Sequence, residues 1–181
     1  KPEVLAKATH GLFTKNLEGD ITTHRAAFAL PASRAFARTM LLPKLSGKDL
    51  TDAVKLEAEQ YIPIPIDDLY IDYSISRSTD KEIELLAIAV PKKIVDSYMT
   101  FAQIIGVEPV AIETTITAAS RLFVQAEQND IPTMLIDFGS LSTDITIYDG
   151  AIIVTGTVPG GGDSFTTSIA TALNVDRKSV V

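Results

Sequence analysis

The stretch Ile136-Asp137-Phe138-Gly139-Ser140-Leu141-Ser142-Thr143-Asp144-Ile145 gathers the residue types that handle phosphate. An apolar run leads into Asp137, the chain turns through Gly139 among small hydroxylated residues, and a second run leaves at Ile145. Gly139, Ser140, Ser142 and Thr143 are small enough to let the backbone close on a ligand, with amide and hydroxyl donors turned toward it. Asp137 can hold a divalent cation through bound water and so meet phosphates without direct repulsion. The pattern D-x-G-x-x-x-T therefore forms one jaw of a phosphate clamp. A plain hairpin with a Gly/Ser/Thr-rich turn has the same composition, and the motif alone is short. Its surroundings favour the clamp. A third apolar run, Ala151–Thr157, follows, and Pro159-Gly160-Gly161-Gly162 then opens a helix over Asp163–Leu173. A glycine loop at a helix N-terminus is a second place for phosphate or for the adenine side of a nucleotide. Gly161 and Gly162 would serve equally as a flexible strand-to-helix connection.

These residues need elements to position them. Apolar residues at helical spacing predict a helix over residues 3–17, and short apolar runs predict strands over Ala26–Leu30 and Ala35–Leu42. Ser46, with Asp49 three residues on, marks a helix start, and Leu50, Ala53, Val54 and Tyr61 form its apolar stripe. Pro63 and Pro65 stop it. Leu69, Ile71, Tyr73 and Ile75 alternate with polar positions, as in a strand with one wet face, and Glu82–Val90 returns as a second strand. Pro91 is suited to the first position of the next helix and Gly106 to its left-handed stop, with the strand Val107–Ile112 after it. A helix over Thr114–Gln128 and a break at Asn129–Pro132 complete the pattern.

The bulk properties narrow the function. The 181 residues carry a net charge of −7, with Lys and Arg scattered, so no basic face exists to displace phosphate counterions and nucleic acid is an unsuitable partner. No uninterrupted run of eighteen apolar residues, the length a membrane-spanning helix needs, occurs in the sequence. Cysteine is absent, which removes disulfides and thiolate chemistry and fits a reducing compartment. His10 and His24 lie on separate elements without metal-ligand spacing. Glu57 and Glu59 point different ways on a helix and read as a solvated face. Tyr61, Ile62, Ile64 and Ile66 suit either a core or an apolar rim that receives a partner peptide.

Met134–Gly150 resembles the second phosphate loop of the actin, Hsp70 and sugar-kinase superfamily, and Val158–Ala170 resembles the segment that follows it in FtsA and PilM proteins. The distinctive signal lies upstream: Leu42-Pro43-Lys44-Leu45, then Glu57-Ala58-Glu59-Gln60-Tyr61-Ile62-Pro63-Ile64-Pro65-Ile66, then Asp72-Tyr73. This order is similar to the PilM family of type IV pilus assembly proteins over about Ala26 to Leu173. The resemblance implies an α/β fold, a partial actin-like (ribonuclease H-like) core with an inserted α+β subdomain. Residues 1–40 would belong to the first actin-like subdomain, 41–112 to the insert, 113–133 to a return helix and linker, and 134–181 to the start of the second subdomain.

It also implies a function. The full-length protein would be a cytoplasmic scaffold at the inner membrane that binds ATP and Mg2+ and holds the N-terminal tail of a PilN-like membrane protein. It would couple that partner to the pilus motor ATPases. Asp137, Gly139, Ser140, Ser142 and Thr143, with Gly161 and Gly162, would face the nucleotide, and Asp137 would hold magnesium through water. Tyr61, Ile62, Ile64 and Ile66 would contact the partner. A sugar-kinase-type phosphotransferase or an FtsA-like division protein are the alternatives within the superfamily. The first phosphate loop has no counterpart in residues 1–40 and is expected before Lys1, as the adenosine segment is expected after Val181. On that expectation these residues alone do not hydrolyse ATP, and at most the complete protein is a weak ATPase.

Overall fold

The computed structural model describes residues 2–15, 17–126 and 131–180. Parts of three predictions, at residue 16, residues 127 and 128, and residues 129 and 130, lie outside them. Strands β1 (Arg25–Leu30) and β5 (Glu108–Thr114) run parallel, from Arg25 opposite Glu108 to Leu30 opposite Thr114. A parallel pair cannot close through a tight turn and needs a crossover. The crossover here is long enough to contain a lobe of its own.

Within it, β2 (Phe36–Pro43), β3 (Leu69–Ser78) and β4 (Glu82–Pro91) form an antiparallel sheet in the order β2-β4-β3. Helix α2 (Gly47–Glu59) lies on one face of it. Leu50, Val54 and Ala58 recur every four residues on α2, and the first two meet Met40, Leu42, Ile83, Leu85 and Ala87 in one buried cluster. Ala58 joins Ile62, Leu69 and Ala89 in the next. The run Ile83–Val90 is almost continuously apolar because β4 is the central strand. Its other face, with Leu86 and Val90 buried, turns toward the rest of the molecule.

The lobe is therefore Phe36–Pro91, not 41–112. Strand β2 pairs with β4 along its whole length, whereas β5 pairs with β1. Helix α3 (Lys92–Ile105) packs against α1 (Pro2–Lys15) and, through Tyr98 and Phe101 set edge-on to Phe28, against β1. Pro91 ends β4 and precedes α3, while Gly106 ends α3 with φ of 73°. Ser46 holds the N-cap position, but its side chain makes no cap bond.

Helix α4 (Thr115–Ala126) follows β5 and packs against β1, β5 and β7. A second antiparallel sheet runs β6 (Thr133–Phe138), β7 (Ser142–Tyr148) and β8 (Ile152–Pro159), and α5 (Gly162–Leu173) leaves it. Thr39 on β2 donates its hydroxyl to the Ile153 carbonyl at 2.7 Å, which ties the lobe to β8.

Leu85 is fully buried (0 %) and Leu41, on the neighbouring strand, is 64 % exposed. In the full-length protein Leu85→Ala should lower unfolding free energy by about 2–5 kcal/mol, and Leu41→Ala should stay within about 0.5 kcal/mol. Denaturant titration of both variants checks the contrast; equal losses would contradict this assignment of the lobe core.

Candidate functional site

The hairpin between β6 and β7 places Asp137 directly opposite Asp144, and Phe138 opposite Thr143. Gly139 closes the turn by donating its amide to the Ser142 carbonyl at 3.0 Å. The amides of Ser140 and Leu141 take no backbone partner among the described residues. The glycine loop then folds back onto this turn. Gly160 donates to the Leu141 carbonyl at 3.1 Å, Gly162 to that of Gly139 at 3.0 Å, and Asp163 to that of Ser140 at 2.9 Å. Two of the N–H groups that a helix N-terminus leaves without intrahelical partners are thus used by the turn.

The close approach explains two glycines. A Cβ at Gly161 would overlap the Gly139 carbonyl oxygen and stand 2.9 Å from the Ser140 carbonyl. Gly160 has φ of 116°, a conformation open to glycine. The structure therefore gives Gly161 the role of letting α5 press onto the turn, while Gly162 contributes its amide to the Gly139 carbonyl. The hydroxyl of Thr143 donates to the Gly160 carbonyl at 3.0 Å and reinforces the same join. Asp137 and Ser140 stay exposed, with Gly139 and Ser142 half-buried beside them.

Asp144 is a residue to which sequence reading assigns no role. It is 9 % exposed and accepts from the Thr157 hydroxyl at 2.5 Å. Thr157 is its register partner on β8, so Asp137, Asp144 and Thr157 form one row across the sheet. Carboxylates opposite each other on paired strands repel, and a hydrated cation between them and a phosphate would relieve that repulsion. The signal was present in the numbering: a turn centred on Ser140 and Leu141 sets Asp137 against Asp144. Among the described residues no group of three or more His, Cys, Asp or Glu is placed to hold a metal directly. Magnesium would be held through water and phosphate oxygens. The unused amides, the exposed serine hydroxyl and the acidic pair fit a Mg–phosphate group.

A second feature is a cleft of about 830 Å³. Its walls come from β3 and β4 of the lobe, from β5 and α4, and from the β7–β8 turn at Tyr148 and Gly150. Leu86, Ile88 and Val90 supply an apolar floor, and Glu113 pairs with Arg121 at 2.6 Å on one side. The residues Tyr61, Ile62, Ile64 and Ile66 lie elsewhere. Ile62 is 5 % exposed within the lobe core, and Tyr61, Ile64 and Ile66 pack against it while staying half-exposed. Arg38 stacks over the Tyr61 ring at 4.7 Å. Burial raises the Tyr61 phenol above its ordinary pKa, opposed by Arg38.

The family model for the type IV pilus assembly protein PilM matches residues 14–179. The chain belongs to the PilM family. Among solved structures, the PilM-PilN type IV pilus biogenesis complex overlaps this PilM-family chain with a TM-score of 0.83 at 23 % identity, over 99 % of this chain and 55 % of the other. The cytoplasmic domain of EpsL, an inner membrane component of the type II secretion system of Vibrio cholerae, overlaps with a TM-score of 0.57 at 10 % identity, covering 91 % and 60 %. The chain thus spans between 55 % and 60 % of the length of these relatives. The fold is the expected α/β arrangement, with an antiparallel lobe inserted between the parallel strands β1 and β5. Among the described residues no helix is long and apolar enough to cross a membrane.

Gly161→Ala should separate α5 from the turn, because backbone meets backbone there and neither side can give way as a flexible side chain would. The expected loss is about 1–3 kcal/mol, accompanied by faster amide exchange at Gly162 and Asp163. Unchanged exchange at those two amides would show that the contact is not tight.

Proposed function

We propose that the full-length PilM-family protein is a nucleotide-responsive scaffold on the cytoplasmic side of the inner membrane. Its cleft takes the N-terminal tail of a PilN-like membrane protein, and its phosphate turn holds one side of ATP and magnesium. Through the tail it is peripheral to the membrane, and through other surfaces it reaches the pilus motor ATPases. The observation that carries the reading is the cleft, bounded on one side by the inserted lobe and on the others by the actin-like core. Its size and apolar floor suit a short extended segment. The likeness to a PilM-PilN complex supports the choice of partner.

The nucleotide side rests on the turn. Asp137 would hold hydrated magnesium, with Asp144 behind it held by Thr157, and the Ser140 and Leu141 amides with the Ser140 hydroxyl would face a phosphate. Mg–ATP, when bound, would supply counter-charge to the acidic pair Asp137 and Asp144. The residues of this chain bind and orient. Among the described residues none is placed as a general base, so slow hydrolysis at most is expected.

Two measurements on the full-length protein test the reading. Filling the cleft with Ile88→Trp should weaken binding of a synthetic tail peptide by about tenfold or more, one to two kcal/mol being a typical overpacking penalty, with the circular dichroism unchanged. Asp137→Ala should weaken Mg–ATP by about 1.5–3 kcal/mol, the range for a hydrogen bond to a charged group. Tail titrations with and without Mg–ATP should differ in affinity; identical curves for wild type would remove the nucleotide-responsive part and leave the scaffold.

A further inference from the structure

We infer that the occupant of the cleft binds as an added β-strand along the free edge of β3, with the hydroxyl of Ser120 as its buried polar contact. The inference rests on the tail-binding reading above and specifies its mode.

Strand β3 pairs with β4 and stands at the edge of its sheet. Alternate residues of a strand face opposite sides of a sheet. Yet the consecutive residues Tyr70 to Ser76 all line the cleft. Both parities can border one cavity only where the cavity runs along the strand edge itself. The main-chain groups of β3 that β4 leaves free therefore face the cleft, and of these the Tyr73 amide is held by the Asp72 carboxylate at 2.9 Å, a side-chain contact that an added strand would replace. Soluble proteins blunt such edges with proline, bulges or inward charge. The stretch Leu69–Ile75 has no proline, its register shift comes only after Ile75, and Asp72 is its one charged residue. The opposite wall, β5, is a poorer template: it reaches the cleft over Ala111–Thr114, and Pro109 lacks a donor.

Ser120 on α4 is an independent pointer. It is 4 % exposed and lines the cleft, and its Oγ has no hydrogen-bond partner. Buried hydroxyls are nearly always paired. Serines in helices commonly donate to the carbonyl four residues back, as Ser97 does to Lys93 at 2.7 Å and Ser168 to Ser164 at 2.9 Å. Ser120 does not. Its neighbours Thr114 and Thr117 satisfy each other and leave it no partner. A buried, unpartnered hydroxyl in a cleft wall is a hydrogen bond waiting for a ligand.

The lining also indicates what kind of segment fits. Leu86, Ile88 and Val90 demand apolar side chains at alternate positions, as a strand presents them. Of the charged lining residues, Glu113 is paired with Arg121, which leaves Asp72 as net negative charge for a basic group on the occupant.

The test uses the full-length protein and synthetic peptides of the partner's N-terminal cytoplasmic segment, each carrying one backbone N-methyl group. Strand addition uses every second amide, so affinity should fall at alternate positions only, by about tenfold, the effect of one hydrogen bond. Ser120→Ala should weaken the unmodified peptide by a similar factor while leaving the peptide-free protein as stable as before or more so, since an unpaired hydroxyl is removed. A flat N-methyl profile, or full affinity in Ser120→Ala, overturns the mode while tail binding stands. An unmodified peptide that does not bind overturns both.

Discussion

Parallel pairing of β1 with β5 is the constraint on which the other features depend. Because such strands cannot be joined by a tight turn, the chain between them must leave the sheet and come back. Here it leaves through β2, builds the lobe around Leu85 and Val54, and returns by α3, which covers β1 at Phe28. The lobe is therefore anchored at both ends to one short stretch of core. Its inner face, Leu86 to Val90, is held over β5 and α4, and the cleft is the space left between them. Without the crossover geometry the two strand edges that border the cleft would not face each other.

Local pattern made the elements readable and left their partners open. The spacing of Leu50, Ala53 and Val54 and the alternation along β3 carry their own period, and both elements form there, although α2 ends at Glu59 and leaves Tyr61 in the turn after it. The apolar run Val107–Ile112 carries no sign of which strand it will join. Adjacency suggests the lobe, but the partner is β1, more than eighty residues away, and so the lobe limits shift to Phe36 and Pro91. Ile62 shows the same limit at one residue. A Tyr-Ile-Pro-Ile-Pro string can be rim or core, and the choice depends on Leu69 and Ala89, which arrive later in the chain.

The site divides along a similar line. Asp137 and the turn are legible because the residue types that could handle a phosphate sit at a few consecutive positions. The roles of Gly161 and Thr143 are not, because they depend on the turn and the glycine loop meeting in space. The glycines that could greet a phosphate instead clasp the hairpin, and the helix N–H groups that could bind an anion reach the Gly139 and Ser140 carbonyls. This rearrangement strengthens the turn as a platform. A loop that is to meet a ligand through its amides gains from having them fixed beforehand, and three backbone hydrogen bonds from the loop and helix start hold this turn in place.

The two features share one strand. β7 begins at Ser142 in the phosphate turn and ends at Tyr148, a lining residue of the cleft, about 20 Å away at about 3.4 Å per residue. Its middle is buried at Asp144 and Thr146. Position along a strand is not coupling, however. A nucleotide can alter the cleft only by binding two arrangements of the halves with different affinity. The contacts able to separate two such arrangements cross between lobe and sheet, and Thr39 donating to the Ile153 carbonyl is one of them. A response to nucleotide would therefore have to alter the β2–β8 contact, where the inserted lobe rests on the strand that follows β7.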